Sequence, residues 1–286
     1  TSSGNMRMAT SRGWNEYVRF HQNIKRQSRA ENAGRYLTKM TEKIFLHGVP
    51  DTPEIWRALL KELSLDLTPK SAPALPGFMG PPANNFGKTK DAYVEWLIAH
   101  IETEMSSSGP VDLIAHDWGA LIALRAISLR PDLIRSWAVI SAVPHPDNLW
   151  HSTAEKWQTP IVGEVMMLLT TKKRIATILQ NNGLPLELAK HEAAAFGSNM
   201  RKSILHLYRS AKMLGTEWYP GFENLPHNGL IIWGDKDKFG PAKMGRTFAQ
   251  RYGLPFAKIE NSGHWPFVQD PKSVADHLNR HWAEAK

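Results

Sequence analysis

The run Val111-Asp112-Leu113-Ile114-Ala115-His116-Asp117-Trp118-Gly119-Ala120 sets the reading of the whole chain. An apolar stretch ends in small-x-Asp-x-small, and helical periodicity starts at once with Leu121, Ile122, Leu124, Ile127 and Leu129. This is a strand, a sharp turn and a helix. The spacing matches the nucleophile elbow Gly-x-Ser-x-Gly, with Asp117 in the serine position and Ala115 in that of the first glycine. Small flanking residues are required because the turn brings the strand and helix backbones together. An aspartate here also fits a helix N-cap, its carboxylate accepting N–H groups of the first turn. The neighbouring segments decide between the two roles.

Upstream, Lys43-Ile44-Phe45-Leu46 reads as a buried strand running into His47-Gly48-Val49-Pro50. Asp51 or Thr52 caps a helix that begins at Pro53 and carries Ile55, Trp56, Leu59, Leu60 and Leu63 on one side. A short strand is expected over Ala72–Leu75. A helix then follows with Tyr93, Trp96, Leu97, His100 and Ile101 in one stripe. Beyond the elbow helix, Pro131 marks a stop and Trp137–Ala142 a further strand. From Val143 to Pro226 the alternation gives way to helix-like sequence rich in Trp, Met and Leu. It resumes with a strand Leu230–Trp233, a helix Ala242–Tyr252, a strand Pro255–Ile259 and a helix Pro271–Trp282. The expected fold class is therefore α/β: a mostly parallel sheet with helices on both faces. Residues 1–142 and 227–286 would build the core, and 143–226 an inserted helical cap. Residues 1–40 show only weak strand character around Tyr17-Val18-Arg19-Phe20.

At 286 residues, 42% hydrophobic and 22% charged, the chain has the composition of an ordinary globular protein. It has no cysteine, which excludes thiol nucleophiles, disulfides and cysteine-ligated metal. With no apolar leader at the N-terminus, this suits a cytoplasmic setting. No apolar run reaches the roughly 18 residues of a membrane span. The charge is uneven: residues 1–44 hold nine Arg or Lys against three Glu, a net +6 of the chain's +8. A diffuse run of this kind reads as a solvated face, so no nucleic-acid partner is expected. His191-Glu192 opens like a metal-binding His-Glu-x-x-His, but residue 195 is alanine; Gly87-Lys88-Thr89 resembles the end of a phosphate loop, but Pro82 stands where glycine is required. Neither metal nor cofactor is expected.

In parallel sheets functional groups gather beyond the carboxyl ends of the strands. The loops His47–Pro50, Asp117–Trp118, Gly234–Phe239 and Asn261–Pro266 all follow strands and belong on one edge. They carry a nucleophile, an acid and a histidine in the α/β-hydrolase order: Asp117, Asp237 and His264. Asp235 is the rival acid, and Asp237 is preferred because it lies further out in its loop. A carboxylate attacking saturated carbon forms an ester that water can cleave, whereas a serine would form an inert ether. Asp117 therefore implies an alkylating substrate, with His264, oriented by Asp237, activating the water. The backbone N–H groups of Val49 and Trp118 would hold the oxyanion.

The motifs His47-Gly48-Val49-Pro50, His116-Asp117-Trp118-Gly119, Val143-Pro144-His145-Pro146 and Gly263-His264-Trp265 resemble those of the epoxide hydrolases of the α/β-hydrolase superfamily. Haloalkane and haloacid dehalogenases are close relatives of these enzymes. The resemblance implies an α/β-hydrolase fold and cofactor-independent opening of a small apolar epoxide to a vicinal diol. It also implies a cis bond before Pro50. Cap tyrosines open the ring in that family, and His206-Leu207-Tyr208-Arg209 resembles the motif of the second, pointing to Tyr208. Where the first tyrosine is expected, Lys156-Trp157-Gln158-Thr159-Pro160 has lysine; Lys156, Trp157, Tyr219 or His151 would have to supply a second donor. Expected substrate contacts are His47, Pro50, His145, Lys156, Trp157 and Trp265. A dehalogenase would use the indole of Trp118, with Trp150 or Trp157, to hold the departing halide. A non-catalytic ligand-binding homologue and a homodimer stay open.

Overall fold

The computed structural model describes residues 41–147 and 150–285. Five strands form one all-parallel sheet in the order β1-β2-β3-β4-β5. These are β1 (Lys43–Leu46), β2 (Val111–His116), β3 (Ile134–Ile140), β4 (Gly229–Gly234) and β5 (Phe256–Ile259). Strands β2 and β4 are buried throughout, as expected of a parallel sheet covered on both faces. A 3-10 turn Pro53–Trp56, capped by the Thr52 hydroxyl, leads into α1 (Arg57–Glu62). Next come α2 (Lys90–Ser108) and, directly after β2, α3 (Trp118–Leu129), which is buried along nearly its whole length. The chain closes with α10 (Ala242–Tyr252), α11 (Pro266–Gln269) and α12 (Pro271–Glu284).

Between β3 and β4 lies the helical insert. It comprises α4 (Ser152–Gln158), α5 (Val162–Leu169), α6 (Lys172–Asn181), α7 (Leu186–Ala195), α8 (Ser198–Ser210) and α9 (Leu214–Trp218), followed by a 3-10 turn Tyr219–Asn224. Insert and sheet belong to one compact unit, Thr41–Lys286.

Two expectations need correction. Residues 72–75 form no strand: Pro73 and Pro76 cannot donate to a ladder, and a single bond from Phe45 N–H to Ser71 O (2.7 Å) ties the segment to β1. Strand β3 starts at Ile134, three residues earlier than the apolar run suggests. Its polar residues Arg135 and Ser136 are accommodated because both bind the buried carboxylate of Asp112 on β2, at 2.5 and 2.6 Å; Ser136 pairs with Asp112, and the register skips Arg135. The weak strand read around Tyr17–Phe20 lies outside the described residues. Among the described residues no helix is long and apolar enough to cross a membrane.

Candidate active site

The strand register aligns Leu46 with Ala115, His116 with Ile140, Ile140 with Ile232, and Gly234 with Ile259, so the loops that follow end on one edge. Asp117 sits on the corner between β2 and α3 with φ 49° and ψ −122°, a region that few residues other than glycine adopt. Its side chain makes no capping bond to α3, which removes the N-cap reading. Instead Asp117 Oδ1 accepts the Val49 N–H at 2.8 Å, and Oδ2 lies 3.5 Å from His264 Nε2. The corner needs two glycines. A Cβ on Gly48 would lie 2.4 Å from Asp117 Cβ, and one on Gly119 would lie 2.4 Å from Leu46 O.

On its other side the His264 ring donates from Nδ1 to Asp237 Oδ2, at 2.9 Å. The rival Asp235 is turned away, accepting Ser262 N–H at 3.2 Å. Asp237 Oδ1 also accepts Phe239 N–H at 2.8 Å, which fixes the loop that carries it. Burial disfavours the imidazolium of His264, but the Asp237 charge and the hydrogen bonds to Asp117 and Asp237 outweigh it and raise the pKa well above the ordinary range. For Asp117 burial works toward the neutral acid. The bond to His264, the nearby His116 and the Val49 N–H outweigh it and hold the carboxylate ionised.

A second layer holds the histidine loop. His116 Nε2 donates to His264 O at 2.9 Å, since a carbonyl only accepts. Trp265 Nε1 donates to Asp51 Oδ2 at 3.1 Å, and Asp51 lies 3.3 Å from His116 Nδ1. Asp51 and His116 were legible only as a cap and as a motif neighbour. A further buried acid, Glu192 on α7, accepts the Thr52 N–H at 2.6 Å and bonds the Thr52 hydroxyl at 3.1 Å. In the sequence it is visible only as half of a failed metal motif.

The insert covers the nucleophile with aromatic rings. Tyr208 of α8 lies edge-on to Trp118 at 5.0 Å and to Trp157 of α4 at 5.0 Å, and Trp118 stacks on Trp150 at 5.6 Å. Burial, reinforced by the Asp117 charge, raises the Tyr208 pKa well above 10, so the phenol keeps its proton. Phe239 packs on the His264 ring at 4.8 Å, a contact the sequence did not suggest. His151 caps α4, accepting Ala154 N–H at 3.2 Å, 6.0 Å from Phe239 ring to ring.

Several residues expected at the substrate stand elsewhere. His47 is fully buried, with Nε2 accepting Leu75 N–H and Nδ1 donating to Gly48 O; burial lowers its pKa to about 4. Lys156 is exposed on the outer side of α4. His145 accepts Asp147 N–H in a surface turn, and Trp265 is buried behind His264 on Asp51. Pro50 follows a cis peptide bond, as expected from the motif.

The fold agrees with comparison to known proteins. Residues 44–277 match the alpha/beta hydrolase family, and the chain belongs to that family. It is a hydrolase of the alpha/beta hydrolase family. Among curated proteins it is 26% identical to the probable aminopeptidase YbaC of Bacillus subtilis, over 83% of this chain and 87% of that protein. A haloalkane dehalogenase of Bradyrhizobium diazoefficiens is 32% identical over a shorter stretch, 44% of this chain and 45% of that protein. Among solved structures, a haloalkane dehalogenase from Bradyrhizobium elkani aligns with TM-score 0.68 at 21% identity, covering 86% of this chain and 92% of that one. The Bacillus megaterium epoxide hydrolase aligns with TM-score 0.65 at 19% identity, over 86% and 94%. At these identities the structural likeness speaks for the fold.

Proposed function

We propose that the protein hydrolyses small apolar epoxides to vicinal diols through a covalent ester on Asp117. The observation that carries this reading is the buried, protonated Tyr208 phenol, set in the aromatic roof close to an ionised elbow carboxylate. Asp117 attacks an epoxide carbon and the carbon–oxygen bond breaks. The ring oxygen takes the Tyr208 proton, which His264 restores, leaving its imidazole neutral. His264 then removes a proton from water, and the resulting hydroxide attacks the Asp117 carbonyl carbon. Val49 N–H already contacts Asp117 Oδ1, and Trp118, as first residue of α3, has an N–H without an intrahelical acceptor. Both would stabilise the tetrahedral oxyanion, a donor being worth on the order of 3 kcal/mol. Collapse expels the diol alkoxide, which takes its proton from His264, and the Asp117 acid left behind passes its proton to the imidazole, restoring the resting charges.

One observation favours a dehalogenase as second reading. The indole N–H of Trp150 is buried without a partner among the described residues and its ring stacks on Trp118, an arrangement suited to a leaving halide. A single turnover in 18O-water, followed by mass measurement of the Asp117 peptide, tests the covalent step shared by both. Label in that peptide is the expected result, and unlabelled peptide after turnover would refute it. Tyr208→Phe separates the two. It should slow diol formation from styrene oxide on the order of a hundredfold while sparing any halide release. Halide release from 1-bromobutane without diol formation from any epoxide would establish the second reading instead.

A further inference from the structure

The outer face of the insert carries an apolar surface that the catalytic site does not use. Helix α5 (Val162–Leu169) and the residue before it expose Ile161 and Leu168 at 76% each and Leu169 at 63%, with Val162 and Val165 also exposed. At about 100° per residue the four side chains within the helix fall in one stripe about 120° wide. The opposite side of the helix is buried through Gly163 and Met167. Gly163 is the reason α5 lies so close to the roof: a Cβ there would meet Trp157 O and Leu205 Cδ2, both at 2.8 Å. Helix α5 therefore rests on α4 and α8, which carry Trp157 and Tyr208, and turns its apolar stripe away from them.

Two further features point outward. Ile161 has φ 71°, a conformation that a β-branched residue rarely adopts, yet its side chain gains no burial in the fold. Directly after α5, the first turn of α6 holds Lys172, Lys173 and Arg174, all exposed, with Lys172 donating to Ala194 O at 2.6 Å. Cations at a helix N-terminus oppose the helix dipole and do not help the helix itself. Within α5, the acid Glu164 is neutralised by a bidentate pair with Arg209, each contact 2.6 Å. The surface is thus apolar in the middle, cationic at one end and without net negative charge.

We propose that this face docks the protein peripherally on an anionic lipid bilayer, the stripe entering the headgroup boundary and the basic turn meeting the lipid phosphates. The docking is independent of which substrate the site takes. It would place the aromatic roof next to the phase in which apolar molecules concentrate.

Co-sedimentation of the full chain with vesicles of phosphatidylcholine, alone or mixed with phosphatidylglycerol, tests this. The protein should bind the mixed vesicles, less so as salt rises. The double variant Val165→Glu/Leu168→Glu and the double variant Lys173→Glu/Arg174→Glu should each lower binding on the order of tenfold or more. Both alter exposed positions only, so unfolding midpoints should match the wild type. Because the chain has no cysteine, Leu168→Cys labelled with an environment-sensitive fluorophore gives a second readout: a blue shift on mixed vesicles. Binding unchanged in both variants would assign it to the basic residues 1–44 and overturn the proposal. So would an absence of vesicle binding with a dimer that Leu168→Glu dissociates, which would make the face a contact between two copies.

Discussion

Asp117 and His264 are described best as a pair whose charges define each other. In the resting site the His264 ring lies between two carboxylates, and their joint field favours the imidazolium. On the proposed route, alkylation of Asp117 would remove one of the two charges. The imidazole would then lose a cause of its raised pKa at the moment a base is needed, while Asp237 would still fix its tautomer. Asp237 would therefore serve the second chemical step more than the first. Asp237→Asn should leave alkylation of Asp117 largely intact and slow ester hydrolysis on the order of 10³- to 10⁴-fold. The expected signature is a burst of substrate-sized adduct on the Asp117 peptide, followed by a stall, read by rapid-quench mass spectrometry. Equal loss in both steps would show that Asp237 acts on the nucleophile as well. Choosing Asp237 over Asp235 from sequence rested on loop position. The structure supplies the physical reason, because Asp235 is occupied by Ser262 N–H.

The element that makes this pair possible is the corner between β2 and α3, and its cost is steric. Gly119 passes so close to β1 that an added Cβ would lie 2.4 Å from Leu46 O and 2.5 Å from His47 O. The Leu46 carbonyl cannot retreat freely, because Leu46 is paired with Ala115 in the ladder between β1 and β2. Gly119→Ala should therefore destabilise the protein by about 2–3 kcal/mol, a fall in unfolding midpoint of roughly 3–5 °C. Calorimetry checks it, and a midpoint within a degree of the wild type would show that the corner has slack. This corner was legible because small-x-Asp-x-small between an apolar run and a helical period admits few other geometries. The sheet was legible for the same reason, its buried strands being continuous apolar runs. What stayed hidden has two physical causes. Prolines 73 and 76 make an apolar segment look like a strand while denying it a ladder. Arg135 and Ser136 make a true strand start look like a loop, because their partner Asp112 lies on another strand. The second layer was hidden likewise: nothing near Asp51 or Glu192 in sequence shows what each meets in space.

At the scale of the whole molecule, the insert is joined to the sheet side by a buried acid. Glu192 of α7 reaches Thr52, beside Asp51, and is fully buried. Burial, reinforced by the Asp51 charge, raises its pKa from the ordinary 4.5 to about 9, so the folded protein holds it neutral at pH 7. In the unfolded chain the same group ionises in the ordinary carboxylate range. Unfolding therefore releases a proton throughout the interval between these values, and stability should decline as pH rises, by about 1.4 kcal/mol per unit. His264 acts in the same direction at the alkaline end: its folded pKa is raised, so its contribution is complete below about 6.5 and fades as pH climbs toward the folded value. Glu192→Gln retains an acceptor for the Thr52 N–H and a donor for its hydroxyl, but cannot ionise. At pH 6 it should lie within about 1.5 kcal/mol of the wild type. At pH 8.5 it should be the more stable protein, and its plot of unfolding free energy against pH should be flatter by close to one proton, with the remaining slope due to His264. Denaturant melts at half-unit intervals between pH 6 and 9 give both slopes. Parallel lines would mean that Glu192 is already ionised in the fold, and that the insert is held down by a buried carboxylate rather than by a neutral acid.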